Sequence, residues 1–444
     1  MFVAGATRPE ARGERLIRIA NGQGFWGDWA EAPVRLVEGG PIDYLTLDYL
    51  AEVTMSILQK QRQEDPQLGY ARDFPPLAAR LEKMLRERRV RLLANAGGVN
   101  PLACAREVRR LAPSLKVAVV TGDDVLSRLP EWIAAGEELR NLDDGRPITE
   151  IASQIRSANV YLGAFPLARA LATGADVVLT GRCADAALAL APMIYEFRWP
   201  EDDWDRLAAG VIAGHIIECG AQCTGGNCQV DWLTLPDPAN IGYPILEVDP
   251  DGSFTVTKHP GTGGRVNAHT VKEQLLYEIG DPTRYLTPDV TADFTSLRVR
   301  DDGPDRVRLT HARGAPRPET LKVSISYHWG WKAAGSLIFP GPAARDKARI
   351  AEAIVRARIA HLPLETVLTE TIGDDSLIQI RMAARSPDRQ AVERFAREMI
   401  PLVLSGPPGA TGYGEGRPPV REIVAYWPAL IRRDAVEVRV EVVP

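Results

Sequence analysis

Val90-Arg91-Leu92-Leu93-Ala94 runs into Asn95-Ala96-Gly97-Gly98-Val99-Asn100-Pro101: an apolar run stops at a turn of Asn and Gly, and a helical pattern restarts at a proline. The arrangement recurs. Residues 16–20 lead into Asn21-Gly22-Gln23-Gly24-Phe25-Trp26-Gly27-Asp28, residues 117–120 into Thr121-Gly122-Asp123-Asp124, and residues 177–179 into Thr180-Gly181-Arg182-Cys183-Ala184-Asp185. Short Val/Ile/Leu runs bounded by glycine, with helical patterns between them, predict parallel strands buried on both faces. Ligands of such sheets sit outside the carboxyl ends of the strands, where these turns lie. The backbone N–H groups at the helix starts that follow suit phosphate or carboxylate.

Outward from these turns the same alternation continues. A strand at 42–46 precedes a helix starting near Tyr49, and a proline-flanked loop at 73–76 opens a helix over 77–88. Helices over 102–111, 166–173 and 184–197, with a further strand over 158–162, complete a βαβα order. That order predicts an α/β fold with a doubly wound, mainly parallel sheet over residues 16–284. Beyond it, alternating strands at 297–300, 306–310 and 321–327 and two helices at 343–359 and 389–400 predict a second, smaller α+β domain over 285–444. Residues 1–15 alternate small and charged side chains and read as a flexible extension, and the Gly/Pro stretch 405–419 as a long functional or mobile connection.

Composition narrows the function classes. A chain of 444 residues exceeds one ordinary core and fits two domains. A net charge of −5 provides no basic face for nucleic acid, and the densest cationic cluster, Lys83, Arg86, Arg88, Arg89 and Arg91, falls at a predicted helix end, where cations favour the macrodipole. No apolar run approaches the roughly 18 residues of a membrane span, and the N-terminus lacks a signal peptide's apolar block. Five cysteines in so long a chain argue against a disulfide framework and for a reducing cytoplasm. The expectation is a cytoplasmic protein with no nucleic-acid or membrane partner.

Several constellations can carry chemistry. Gly22, Gly24 and Gly27 follow a G-x-G-x-x-G order, yet Phe25 and Trp26 fill the turn, so a dinucleotide site and an aromatic pocket wall both remain open. The turn holding Asn95, Gly97, Gly98 and Asn100 is the cleaner anion site, against the alternative of a tight turn with Asn100 as helix cap. Gly263 and Gly264, before Arg265, resemble a backbone nest and lack a P-loop ending. His215-x3-Cys219-x3-Cys223 invites zinc but lacks the paired cysteines of structural sites, so no metal ligand is assigned. Thr224, Gly225, Gly226 and Asn227 suit an oxyanion cradle, with Glu218 as an acid–base group and Cys219 as a nucleophile. Asp48 and Glu52 share one helix face, and Arg182 and Asp185 another, suiting proton transfer by Asp48 or Asp185 beside an Arg182 clamp. Asn21 and Gly22 join the substrate-binding set at the first strand end. No cofactor is required by the sequence. The aromatic stretch Tyr327-His328-Trp329-Gly330-Trp331 reads as packing or a pocket cover.

Taken together, these segments resemble the acyclic terpene utilisation protein A (AtuA) family. The resemblance rests on residues 22–28, Asp43-Tyr44-Leu45 through Asp48-Tyr49-Leu50-Ala51-Glu52, residues 95–101 and 179–185, Glu218-Cys219-Gly220-Ala221-Gln222-Cys223-Thr224-Gly225-Gly226-Asn227, and Tyr277-Glu278-Ile279-Gly280-Asp281-Pro282. It covers the chain from about residue 16 onward. It implies a place beside enzymes that degrade branched acyl-CoA compounds from terpenes, and it supplies no catalytic residues. The expected function is a catabolic enzyme of the lyase or hydratase type, acting on a branched carboxylic acid or its CoA thioester by hydration, dehydration or C–C cleavage. The alternative is a non-catalytic ligand-binding subunit of an acyl-CoA-degrading complex. A homo-oligomer or a catabolic-enzyme partner fits either.

Overall fold

A computed structural model describes residues 15–412 and 416–444. The extension expected at 1–15 therefore lies outside the described residues except for residue 15. The chain forms two compact units, one of residues up to 150 with 156–325 and 427–444, the other of 151–155 with 326–426.

The first unit is a mixed α/β structure built on a ten-stranded sheet. At its centre the strands Ile17–Asn21, Tyr44–Leu47, Arg91–Ala94, Val177–Thr180 and Val117–Thr121 lie side by side in that order, all parallel. Tyr44–Leu47 and Val177–Thr180 are buried at every position, which is why the sequence there is apolar apart from Thr46 and Thr180. Proline at the start of Ala32–Gly39, Phe74–Arg88 and Pro101–Leu111 opens three of the intervening helices.

The sheet is not mainly parallel as expected. Antiparallel strands extend it on both sides: Ile245–Val248, Phe254–Thr257, Val307–Thr310 and Arg298–Asp301 beyond Ile17–Asn21, and Arg439–Val443 beyond Val117–Thr121. This also explains why residues 285–325 and the C-terminal 427–444 group with the first unit rather than falling beyond a boundary near 285. Their strands read as half-buried alternation, a pattern that fits an added sheet edge as well as a separate domain.

The second unit carries antiparallel strands Thr366–Asp374, Leu377–Ser386 and Thr320–Pro340 (its portion from residue 326). Ile378, Ile380, Met382 and Ala384 alternate inward and bury against Val355, Val392 and Phe395 of helices Ala344–Ile359 and Arg389–Ala396. Trp329 and Trp331 of the aromatic stretch lie under the Arg385 and Arg389 guanidinium groups, at 3.9 and 4.9 Å from the ring centroids. No helix among the described residues is long and apolar enough to cross a membrane.

Candidate active site

The helix Trp204–Glu218 is buried almost continuously from Leu207 to Ile217. Its last carbonyls need partners away from water, and Asn21 supplies them: Nδ2 donates to Ile217 O at 2.6 Å and Glu218 O at 3.0 Å, while Oδ1 accepts from Thr46 Oγ1 at 3.0 Å. Gly24 completes the docking, since a Cβ there would lie 2.7 Å from the Cys219 carbonyl carbon. The helix end, with His215 and Glu218 three residues apart, is thereby pinned beside the carboxyl end of the first strand.

His215 is 1% exposed. Its Nε2 meets the Gln274 carbonyl at 3.0 Å, which makes Nε2 the N–H donor and turns Nδ1 toward Glu218. Nδ1 lies 3.1 Å from Glu218 Oε1 but off hydrogen-bond alignment. Tyr285 and Phe294 wall the imidazole, with ring centroids 5.6 and 5.3 Å away. Burial pushes the His215 pKa down, but the Glu218 carboxylate outweighs it and the net shift is upward. Burial also raises Glu218 above the usual carboxylate range, against the pull of His215. Both shifts are upward, and each group is among the causes acting on the other.

Arg182 follows the Val177–Thr180 strand and is 2% exposed. Asp123 Oδ2 accepts its backbone N–H at 2.8 Å, and Nη1 donates to Leu50 O at 2.6 Å and Asp185 Oδ1 at 2.8 Å. The guanidinium stacks 4.3 Å from the Tyr161 ring centroid, with Lys322 Nζ 4.9 Å from the same ring. Tyr161 donates its hydroxyl to Glu52 Oε1 at 2.5 Å. Burial pushes Glu52 up, but Arg182 and this hydrogen bond hold it below the usual range.

These groups surround a cavity of about 400 Å³, lined by Glu52, Tyr161, Arg182, Asp185, His215, Glu218, Tyr285 and Lys322 together with apolar Leu142, Leu286, Leu321 and Leu430. Another cavity, of about 410 Å³, opens near Glu247 and Lys258. Its charges are already paired: Glu247 takes both Arg18 and Arg306, and Lys258 takes Asp305. We assign the site to the first, where acid–base groups and apolar walls meet.

Of the residues expected from sequence, Arg182, Asp185 and Glu218 line this cavity. The glycine turns do not, because their N–H groups are occupied. Gly22 N bonds Thr46 O, Gly97 N bonds Thr180 O, Gly98 N bonds Asn95 O, and Gly263 N and Gly264 N bond Asn240 O and Pro236 O. Gly225 N and Gly226 N return to Gln222 O and Ala221 O, and Thr224 Oγ1 donates to Gly242 O at 2.6 Å. Asn227 sits in the left-handed region that closes this turn. Asn95 braces Tyr49 N and Asp48 Oδ1. Asn100 ties down the carbonyls of Pro66 and Leu68 and makes no side-chain helix cap.

Asp48 is buried beneath the site, where desolvation and the Asp185 charge push its pKa well up. Burial and the neighbouring Glu218 push the Cys219 thiol to about 12, the reverse of an activated thiolate. Among the described residues no three His, Cys, Asp or Glu side chains are gathered as a metal site. Trp26, weighed as a pocket wall, donates to Asp73 at 2.8 Å.

Sequence reasoning missed Tyr161, Tyr285 and Lys322. Tyr161 had a signal, standing at the end of a predicted strand. Tyr285 and Lys322 had none, because distant segments deliver them. Glu52 and His215 were noticed, the first as the partner of Asp48 and the second only as a metal ligand.

No curated protein matches the sequence. The family model of the acyclic terpene utilisation family protein AtuA matches residues 17–442, nearly the whole chain. The strand-end motifs that frame the cavity all fall within that span, and the chain belongs to the AtuA family.

Proposed function

We propose that this protein is an acid–base enzyme of acyclic terpene breakdown, acting on a branched carboxylic acid or its CoA thioester by hydration, dehydration or a related C–C cleavage. The observation that carries the reading is the His215–Glu218 pair, buried yet lining a cavity that also presents Arg182 and Lys322. In the hydration direction Glu218 takes a proton from water as the water oxygen bonds the β-carbon of a conjugated double bond. The electron pair moves to the carbonyl, where Arg182 and Lys322 supply positive charge, and the α-carbon then takes back the proton that Glu218 removed from water. His215 Nδ1 shares the proton that Glu218 gains, and Gln274 O holds the ring in place for that exchange. Asp185 orients Arg182. We place this activity in the cytoplasm, in a homo-oligomer or beside a catabolic-enzyme partner.

The test is a mass-resolved incubation of the protein with branched acids and their CoA thioesters, repeated with Glu218→Gln and His215→Gln. Gain or loss of water, or a cleaved fragment, abolished at least a hundredfold by Glu218→Gln in folded protein, is the expected result. Saturable binding without conversion would replace this reading with the non-catalytic ligand-binding subunit.

A further inference from the structure

The cavity of about 410 Å³ near Glu247 and Lys258 has hydrogen-bond donors left over and no carboxylate oxygen left to take them. It is built on the antiparallel extension of the sheet. Arg18 and Glu247 stand directly opposite each other on Ile17–Asn21 and Ile245–Val248, and Arg306 immediately precedes Val307–Thr310. Glu247 Oε1 takes Arg18 Nη2 and Oε2 takes Arg306 Nη2, both at 2.6 Å. Asp305 Oδ1 accepts from Val266 N at 2.9 Å, and Oδ2 holds Lys258 Nζ at 2.9 Å. Each oxygen of the two carboxylates in the lining thus already has a donor. The cations keep theirs in reserve, since a guanidinium carries five N–H groups and an ammonium three. Among the described residues Arg306 spends one on Glu247, Arg18 one each on Glu247 and Pro41 O, and Lys258 one each on Asp305 and Thr262 O. The Lys258 side chain is 4% exposed and that of Glu247 8%, so this charge was taken out of water. His259 senses the same imbalance: burial and the nearby Arg18 and Arg88 charges hold its pKa below the ordinary value, although its Nε2 meets Leu36 O at 2.8 Å.

We infer that this cavity is a second ligand site, which binds a small phosphorylated metabolite with its phosphoryl oxygens bridging Arg18, Arg306 and Lys258. The lining sets three cations against two carboxylates, so an oxyanion completes both its charge balance and its hydrogen bonding. Because Arg18 and Arg306 grip one carboxylate, their forks stand side by side, and Lys258 adds a third donor. Three cations suit the three terminal oxygens of a phosphoryl group better than the two of a carboxylate. The cavity is larger than a phosphoryl group fills, and Ile245, Pro260 and Pro304 line it with apolar surface for the rest of the molecule. It shares no lining residue with the cavity that holds His215 and Glu218, so this site stands apart from the proposed chemistry.

Calorimetric titration of the full chain at fixed ionic strength tests this with two probes, inorganic phosphate and acetate. Phosphate is expected to saturate one site, and acetate to bind at least tenfold more weakly. Arg306→Gln removes one cation and should weaken phosphate by at least tenfold. Arg306→Lys, which keeps the charge and the hold on Glu247 but not the fork, should fall between Arg306→Gln and wild type. Arg182→Gln, in the other cavity, should leave phosphate binding unchanged. If Arg306→Gln does not fold, the comparison of phosphate with acetate on the wild-type chain still decides. Phosphate that fails to saturate, or acetate that binds as tightly, overturns the inference. Saturable binding that survives Arg306→Gln, or is lost in Arg182→Gln, places the phosphate elsewhere and overturns it equally.

Discussion

Asp123 holds Arg182 in position from below, and its titration is exposed to a direct test. The side chain is 2% exposed, and Oδ2 accepts from Asn159 Nδ2 at 2.9 Å and Arg182 N at 2.8 Å. Burial dominates those two bonds and lifts its pKa from 3.8 to about 7. A folded pKa above the unfolded one means that the folded state keeps its proton while the unfolded chain releases it. The contribution to stability is therefore fully present below about pH 4, falls as pH rises, and is gone above about pH 7. Each pH unit in that window costs about 1.4 kcal/mol, so between about pH 5 and pH 8 the wild type loses roughly 3 kcal/mol through this one group. Asp123→Asn can accept both hydrogen bonds through its own Oδ1 and does not ionise. Urea unfolding of the two proteins in parallel across that range cancels every other titrating group, including buried Asp289. The stability of the variant relative to wild type should rise by about 3 kcal/mol from about pH 5 to pH 8, levelling off near pH 7. Parallel profiles would refute the argument, and a rise confined to below about pH 5 would show that Asp123 titrates as an ordinary carboxyl.

Three further outcomes follow from the same geometry. Because the Glu218 carboxylate is what raises His215, Glu218→Gln should move the imidazole titration to lower pH in proton NMR; an unchanged midpoint would mean the pair does not interact. Asn21→Ala removes the amide bond to each of the last two carbonyls of Trp204–Glu218, leaving Ile217 O only the Cys219 N–H, and should destabilise the first unit by about 1–3 kcal/mol in thermal denaturation, with a loss under about 0.5 counting against the docking role. Gly97→Ala would put a Cβ 2.6 Å from Thr180 O and 2.5 Å from the Pro101 side chain. It should lower the melting temperature sharply, whereas an anion-cradle glycine would lose ligand affinity with the fold intact.

The parallel centre of the sheet was legible because strands buried on both faces are apolar along most of their length, as residues 92–94 and 177–179 are. The flanking strands were legible as strands but not as members of that sheet. Val307–Thr310 alternates inward and outward and Arg298–Asp301 beyond it is mostly exposed, and such a pattern records a solvated face without saying which sheet it belongs to. At the site, charged residues just past strand ends, such as Arg182, Asp185 and Glu52, could be read from position. What failed was the inference from a glycine turn to a ligand. Gly97 N bonds Thr180 O, an acceptor from the neighbouring strand, and no local pattern tells whether a turn's N–H faces a ligand or the next strand end.

Asn21 shows why the chemistry stands where it does. The carboxyl end of the first strand is the place a ligand is expected in an open α/β sheet, yet the Asn21 amide is committed to Ile217 O and Glu218 O. A helix as apolar as Trp204–Glu218 can end inside the protein only if its final carbonyls find donors there. Spending Asn21 on that need withdraws it from ligand binding and fixes the last helical turn over the strand end. His215 and Glu218 then face the cavity from the helix, while Arg182 reaches it from another strand end. The two halves of the site are thus set by separate elements, and Asn21 governs their spacing without touching a ligand. A smaller side chain at residue 21 would disturb the acid–base pair first and leave the Arg182 contacts with Asp123, Leu50 and Asp185 in place.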